Sequence, residues 1–290
     1  MEGHKYRQSE FGKWKRCRRA HHWQYTEGLY LTSPEGQLPT PNKSDIGTYA
    51  HVGFAALHKG ETLDSALMLV AAEHEHRFAG ETTDEWDKTV EYALSSVRHY
   101  NDWLEEGHTT GQKILGVEMP WEAELDSNSY RFRWVYGTTD LVVDDPLTGV
   151  VVVDMKTVGS QTQTPEEVDF QLRTYAWAYW QETGIVPARA EHRMVKRVLH
   201  GGTAKPPFVS THGIHINEGI LTMHHLHMAV MATEIDWARE SEVQDQYLYP
   251  NPHKDCKWDC SYRDICPLVD DGGDVESVVQ LSYVRTSDEQ

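Results

Sequence analysis

The sequence predicts an α/β fold, a central mixed sheet flanked by helices. Two observations carry the sheet and one carries the helices. Residues 141–143 and 150–153 are apolar runs rich in β-branched side chains, joined by Asp144-Asp145-Pro146-Leu147-Thr148-Gly149. Pro and Gly between two such runs signal a hairpin with a longer loop. Further strand-like stretches at 113–124, 130–143, 189–199 and 207–216 supply the rest of the sheet. Segments with helical patterning lie on either side, at roughly 47–59, 62–79 and 83–106 before the hairpin and from 164 to about 183 and 218–241 after it.

Composition bounds the class. The chain has 290 residues, 39% hydrophobic and 25% charged, as in soluble globular proteins. No apolar run approaches the ~20 residues of a membrane span, and the N-terminal stretch has no signal-peptide core. The expectation is a cytoplasmic protein. In a reducing compartment four cysteines argue for a metal site over disulfides. A net charge of −18 argues against a nucleic-acid partner, but the charge is uneven. Between Lys5 and Arg19 stand seven Lys/Arg and one acid, Glu10, whereas acids gather at 61–106 and 270–290. Such asymmetry permits a basic groove on an acidic body.

Taken in order, the chain opens with a predicted helix from Ser9, a candidate N-cap, to about Tyr25. Trp14 and Trp23 stand there among Lys13, Lys15, Arg16, Arg18 and Arg19. Basic residues interleaved with aromatics suit a single-strand path on which bases stack and phosphates pair; a solvated basic helix face is the alternative. A Pro-rich loop follows to residue 46. In the next helix Gly47 and His51 lie one turn apart, although a lone helical His is more often structural. Thr82 with Glu85 gives a capping-box signature for the 83–106 helix. The first strand carries Glu118. In the hairpin, Asp140 opens one strand and Asp154 and Lys156 close the other, with Asp154 and Lys156 on one face and Met155 on the opposite one. Two carboxylates and an ammonium converging at the end of an apolar hairpin suit a hard cation, Mg²⁺ or Mn²⁺; the plainer reading is a surface ion pair. Thr164-Pro165-Glu166-Glu167 reads as the N-terminus of a helix that carries Gln171 and Tyr175 on one face. Its Tyr175, Trp177, Tyr179 and Trp180 read as core. Lys196 and Arg197 are expected on the exposed face of a later strand. With no repeat and no low-complexity linker, the organisation expected is a basic helix and loop over 1–46, a core over 47–245 and a cysteine-bearing segment with an acidic tail over 246–290.

The cysteines form a three-plus-one set: Cys256-x₃-Cys260-x₅-Cys266, with Cys17 far upstream. Four thiolates satisfy a tetrahedral Zn²⁺ or an iron–sulfur cluster. Structural zinc sites more often come as two close pairs, so spacing leans to iron while leaving zinc open. Either would clamp the N-terminal helix to the C-terminal segment.

Gly47-x₃-His51, Gly137-x₂-Asp140, Asp154-x-Lys156 and Gln171-x₃-Tyr175, in that order, resemble the motif series of the RecB-like branch of the PD-(D/E)XK nucleases. The one-plus-three cysteines, and Lys15-Arg16-Cys17-Arg18-Arg19 followed by Trp23, resemble the iron–sulfur members of that branch, among them CRISPR-adaptation exonucleases and AddAB-type helicase–nucleases. The family spacing is more often C-x₂-C-x₅-C; here Lys257, Trp258 and Asp259 separate the first pair. The acidic residue that often precedes the hairpin Asp elsewhere in the superfamily is not identifiable, and His51 stands in its place.

The resemblance implies a restriction-endonuclease-like core with a structural [4Fe–4S] cluster on Cys17, Cys256, Cys260 and Cys266. It implies His51, Asp140, Asp154 and the Met155 carbonyl as ligands of Mg²⁺ or Mn²⁺, with Glu118 as an outer carboxylate. Lys156 would activate water and neutralise the scissile phosphate, and Gln171 and Tyr175 would position the lysine or the DNA backbone. The activity implied is a metal-dependent exonuclease on single-stranded DNA or single-stranded ends, with 5′→3′ polarity leaned to, in recombination, repair or CRISPR-type processing. No G-x₄-G-K-[ST] helicase motif is present. The chain would therefore act alone or with a helicase, an annealing protein or a CRISPR-adaptation partner. The rivals are a flap or single-strand endonuclease, a catalytically silent cluster-bearing DNA-binding module, and a zinc-stabilised protein with no nucleic-acid role.

Overall fold

The computed structural model of the chain describes residues 4–32, 41, 43–78, 83–126, 132–160, 169–240, 248–257 and 259–286. It forms two compact units. One, the cysteine unit, comprises Met1–Pro39, Glu124–Val135 and His225–Gln290; the other, the sheet unit, comprises Thr40–Ala123 and Tyr136–His224. Strands β3 (Lys113–Asp126) and β4 (Arg133–Asp145) and helix α7 (Glu218–Glu240) each contribute residues to both.

The sheet unit realises the α/β expectation. β4 is followed by β5 (Gly149–Val158), β6 (Arg189–Lys196) and β7 (Val209–His215), neighbours in that order, and β3 pairs with β4 on a separate branch. β4 and β5 are antiparallel with Leu141 opposite Val153 and Asp145 opposite Gly149. The turn closes because Asp145 Oδ1 accepts from the backbone N–H groups of Leu147 and Thr148, both at 3.0 Å, an Asx-type turn. β5 and β6 are parallel, with Asp154 opposite His192, and β6 and β7 antiparallel. The sheet is therefore mixed. Val151, Val152 and Val153 are all buried, as the unbroken apolar run requires of a central strand covered on both faces.

Helices supply the cover. α3 (Lys43–His58), α4 (Leu63–Phe78) and α5 (Asp84–Glu105) pack on one another, and α3 and α5 reach the sheet at β5 and β6. Gly53 makes the crossing of α3 and α5 close: a Cβ there would stand 2.3 Å from a methyl of Val97. α5 is capped by Thr83, whose side chain accepts from Trp86 N, not by Thr82, which lies outside the described residues. α6 (Phe170–Thr183) packs on β5 and β6. It starts later than its sequence signature suggests, because Asp169 caps it by accepting from Leu172 N at 2.8 Å. Thr164, Pro165, Glu166 and Glu167 lie outside the described residues. Of the α6 aromatics, Tyr175 and Trp177 are buried, while Tyr179 and Trp180 are half-buried.

In the cysteine unit the predicted 9–25 helix is broken. α1 (Gln8–Arg16) stops at Cys17, whose extended backbone (φ −163°, ψ 116°) separates it from α2 (Arg18–His21) and a π-helical turn, His22–Thr26. Ser9 is not the cap; Arg7 precedes the helix without a side-chain cap bond. β2 (Leu29–Leu31) pairs antiparallel with β8 (Tyr283–Arg285), tying the two ends of the sequence together. The core beneath is Ala20, Trp23, Leu29, Tyr262, Ile265, Val279 and Tyr283, against which Cys17, Cys260 and Cys266 pack. Among the described residues no helix is long and apolar enough to cross a membrane.

Candidate active site and cysteine pocket

The polar centre of the sheet unit is built at the ends of β4 and β5. Alternation along β5 puts Asp154 and Lys156 on the face that α6 covers. Lys156 Nζ donates to Asp154 Oδ1 and to Gln171 Oε1, both at 2.9 Å, and Gln171 Nε2 donates to Tyr175 O–H at 2.8 Å. Gln171 and Tyr175, four apart on α6, thus continue a chain of hydrogen bonds that begins at Asp154. Gly137 lets this wall close: a Cβ there would stand 2.7 Å from the ring of Trp121, which packs edge-on to Tyr175 at 6.3 Å between centroids.

The opposite side of the hairpin end gathers different atoms. Asp140 Oδ2 accepts from Met155 N at 2.7 Å, and His51 Nε2 lies 2.9 Å from the Met155 carbonyl. His51, Glu118 and Asp140 each offer a ligand atom, and these lie within 4.8 Å of one another. Glu118, on β3, has φ +50°, the one positive φ of a non-glycine residue among those described. A side chain in that region costs about 1 kcal/mol or more, and such strain gathers where a chain must aim a functional group.

The charges are arranged unevenly. Burial, and then the charge of Asp154, push the Asp140 carboxyl up to about 7. Burial also opposes the charge of Asp154, but Lys156 and His192 outweigh it and hold that carboxyl below the usual range. Glu118 is pushed up by burial and by Asp140. Burial lowers His51, which keeps its imidazole neutral and fit to ligate.

These donors suit a hard divalent cation: two carboxylates, an imidazole and a carbonyl. His51 Nε2 and the Met155 oxygen stand 2.9 Å apart, a hydrogen bond that a cation held by both would replace. Asp154 stands differently from the other carboxylates. It is 1% exposed, and its oxygens are engaged by Lys156 Nζ and by His192 Nδ1 at 2.7 Å.

His192 was not singled out by any motif. It carries the Asp154 carboxylate on one ring nitrogen and Asp169 on the other, the latter at 3.3 Å. Burial lowers its affinity for a proton, but the two carboxylates win and raise its pKa to about 9. The signal available was a histidine inside a buried strand, which requires a polar partner.

The four cysteines of the second unit line one cavity of about 500 Å³, together with Lys13, Arg16 and Trp23. All four thiols are free and half-buried. Arg19 Nη1 reaches Cys266 Sγ at 3.5 Å and His253 N reaches Cys256 Sγ at 3.4 Å. Burial pushes the Cys260 thiol up, with Cys256, Cys17 and Cys266 adding to it. Four convergent sulfurs with N–H donors and an apolar shell fit a thiolate-held metal group.

In the basic segment the structure shows partners that the sequence does not. Trp14 is buried with its Nε1 on Glu234 at 3.1 Å, so it shows no free face for a base. Arg18 pairs with Glu234 at 2.8 Å, Arg16 with Asp259 at 2.9 Å, and Arg19, buried, with Asp270 at 2.8 Å. Acids of the downstream segment neutralise the arginines that sequence alone left unpaired. Lys13 is half-buried and Lys15 exposed. Lys196 and Arg197 are half-buried instead of exposed.

Comparison with known proteins gives no match among the curated ones. Two similar solved structures are SSO0001, 12% identical with a TM-score of 0.43 over 92% of this chain and 87% of that one, and a "Putative exonuclease" from Eubacterium rectale, 13% identical with a TM-score of 0.44 over 90% and 86%. The sequence profile of the PD-(D/E)XK nuclease superfamily matches residues 8–267, which span both the hairpin centre and the four cysteines. The chain belongs to the PD-(D/E)XK nuclease superfamily.

Proposed function

We propose that the chain is a divalent-metal-dependent deoxyribonuclease that degrades DNA from its ends, preferring single strands. The observation that carries this reading is the pairing of the Asp154–Lys156–Gln171–Tyr175 chain with the His51, Glu118 and Asp140 group across one hairpin end. Nucleases of this superfamily typically use Mg²⁺ or Mn²⁺. His51, Asp140, Asp154 and the Met155 carbonyl would hold the cation, with Glu118 as a further carboxylate. Bound there, it would polarise a phosphoryl oxygen and lower the pKa of water.

The chain's own residues do the rest. Lys156 offers an ammonium to the scissile phosphate or to the attacking water. Gln171, fixed by Tyr175, keeps that ammonium from folding away. His192 holds Oδ2 of Asp154 at 2.7 Å while Lys156 engages the carboxylate from its other side, which fixes the plane in which Asp154 is presented. On the same reading the cysteine cavity holds a structural [4Fe–4S] cluster; its volume exceeds what a single ion needs.

The test is cleavage of end-labelled linear and circular single-stranded DNA with Mg²⁺, Mn²⁺ or EDTA, by wild type and Lys156→Ala. Metal-dependent loss of the linear substrate alone, absent in the variant, supports the exonuclease, and the label position gives polarity. Cutting of the circle moves the assignment to an endonuclease. Binding without cleavage in every lane leaves a silent module. For the cluster, a brown protein absorbing near roughly 400 nm is expected, whereas a colourless protein carrying zinc overturns that half of the reading.

A further inference from the structure

A second group of ligating side chains lies in the sheet unit and shares no residue with the hairpin centre. His99 and Asp102 stand three apart on α5 and therefore on one face of it. His200 stands in the connection between β6 and β7. Each offers one ligand atom, and the three atoms lie within 4.8 Å of one another. His200 Nε2 is 2.8 Å from Asp102 Oδ2, and the two imidazole rings are 4.9 Å apart.

The observation that lifts this above a surface His–Asp pair concerns His99. The residue is 4% exposed, and its Nε2 is buried with no hydrogen-bond partner. A buried ring nitrogen without a partner forfeits its hydration and gets nothing back, so proteins rarely leave one. Phe208 stacks on the ring at 4.1 Å and 24°, which restricts its orientation. A buried, oriented imidazole with an unsatisfied nitrogen, beside the exposed Asp102–His200 pair, is one fixed donor and two that can close on it.

We propose that His99, Asp102 and His200 form a transition-metal site of the zinc class, which fastens the β6–β7 connection to α5. Two imidazoles and one carboxylate suit Zn²⁺ and its neighbours better than Mg²⁺, which prefers all-oxygen shells. Three protein ligands leave the fourth tetrahedral position to water. Donor atoms around such an ion stand roughly 3.3–3.5 Å apart, so modest rotations of the exposed Asp102 and His200 complete the site.

The test is zinc content of the full chain by plasma mass spectrometry, after EDTA stripping, reloading and desalting. The cysteines and the hairpin centre also take up metal, so the readout is the difference between wild type and His200→Ala. His200 is exposed, and circular dichroism checks that the variant folds. The expected result is one equivalent of zinc fewer per chain in His200→Ala and in Asp102→Asn. Cobalt loading should show the same difference as visible d–d absorption without a thiolate charge-transfer band. Equal metal content in wild type and both variants overturns the site, as does a difference spectrum carrying the thiolate band.

Discussion

The two units hold their reactive groups by opposite means. In the sheet unit, Lys156, Asp154, His192, Gln171 and Tyr175 bond to one another and to strands whose register fixes them. The arrangement stands on the protein's own hydrogen bonds. In the cysteine unit, four thiols converge from a helix break at Cys17, a short 3₁₀ turn at Lys254–Lys257, a loop and the start of helix α8 (Cys266–Asp271). Arg19 reaches the Cys266 sulfur, His253 that of Cys256, and the Tyr262 backbone that of Cys260. A polar centre inside a sheet is pre-organised by the fold, whereas sulfurs gathered from turns are organised by whatever joins them. Removing one residue should therefore cost chemistry in the first unit and folding in the second.

Lys156→Ala gives the largest effect on activity. It should lower cleavage by about 10²–10³-fold or more while the melting temperature stays within a few degrees of wild type. A parallel collapse of fold and activity would erase the contrast between the units. Cys260→Ala is the mirror experiment. It should lose the absorption expected of the proposed cluster and lower the melting temperature by more than about 5 °C, read by calorimetry and by protease sensitivity of the N- and C-terminal segments. A colourless variant as stable as wild type would show that turns alone organise the thiols.

His192→Ala is intermediate and sharpens the comparison within the sheet unit. Partners behind a metal-ligating carboxylate typically contribute about 10–100-fold in metal affinity or activity. The variant should therefore need more Mg²⁺ for half-maximal cleavage, seen in a metal titration, with a smaller change at saturating metal. An unchanged titration curve would mean that Lys156 alone orients Asp154.

Much of the hairpin centre was legible in the sequence because its determinants are local. Alternation assigns Asp154 and Lys156 to one face, and a four-residue step places Gln171 and Tyr175 together. What escaped was non-local. Asp154 meets His192 through parallel pairing across the α6 crossover, and no nearby pattern encodes that register. Asp169 escaped because the Thr164 signature drew the predicted helix start upstream, while its second partner, His192, lies on β6 and far off in sequence. Glu118 was seen, but its left-handed backbone leaves no mark on composition. The partners of the basic N-terminal segment were hidden for the same reason: its counter-charges, Glu234, Asp259 and Asp270, lie more than 200 residues downstream. Cys17 as a helix break follows no propensity rule, and the sequence around it still reads as helix.

The smallest effect concerns acid stability and asks whether the interior of the sheet unit is set without any cation. His58 Nε2 lies 2.8 Å from the Tyr100 hydroxyl, which accepts from Arg193 Nη1 at 3.1 Å. The hydroxyl, accepting a hydrogen bond from Arg193, donates its own hydrogen to His58 Nε2, whose ring must stay neutral. Burial, and then the charge of Arg193, lower the His58 pKa to about 3, against about 6.5 in the unfolded chain. Below pH 6.5 the unfolded state takes up a proton that the folded state refuses, so stability falls as pH drops from about 6.5 towards 3 and levels off beneath. His58→Gln keeps an acceptor for Tyr100 and removes the titration. Its acid-unfolding midpoint, followed by tryptophan fluorescence, should move to lower pH, with stability at pH 7.5 nearly unchanged. An identical midpoint would mean that His58 is protonated in the folded state and that the hydroxyl points elsewhere.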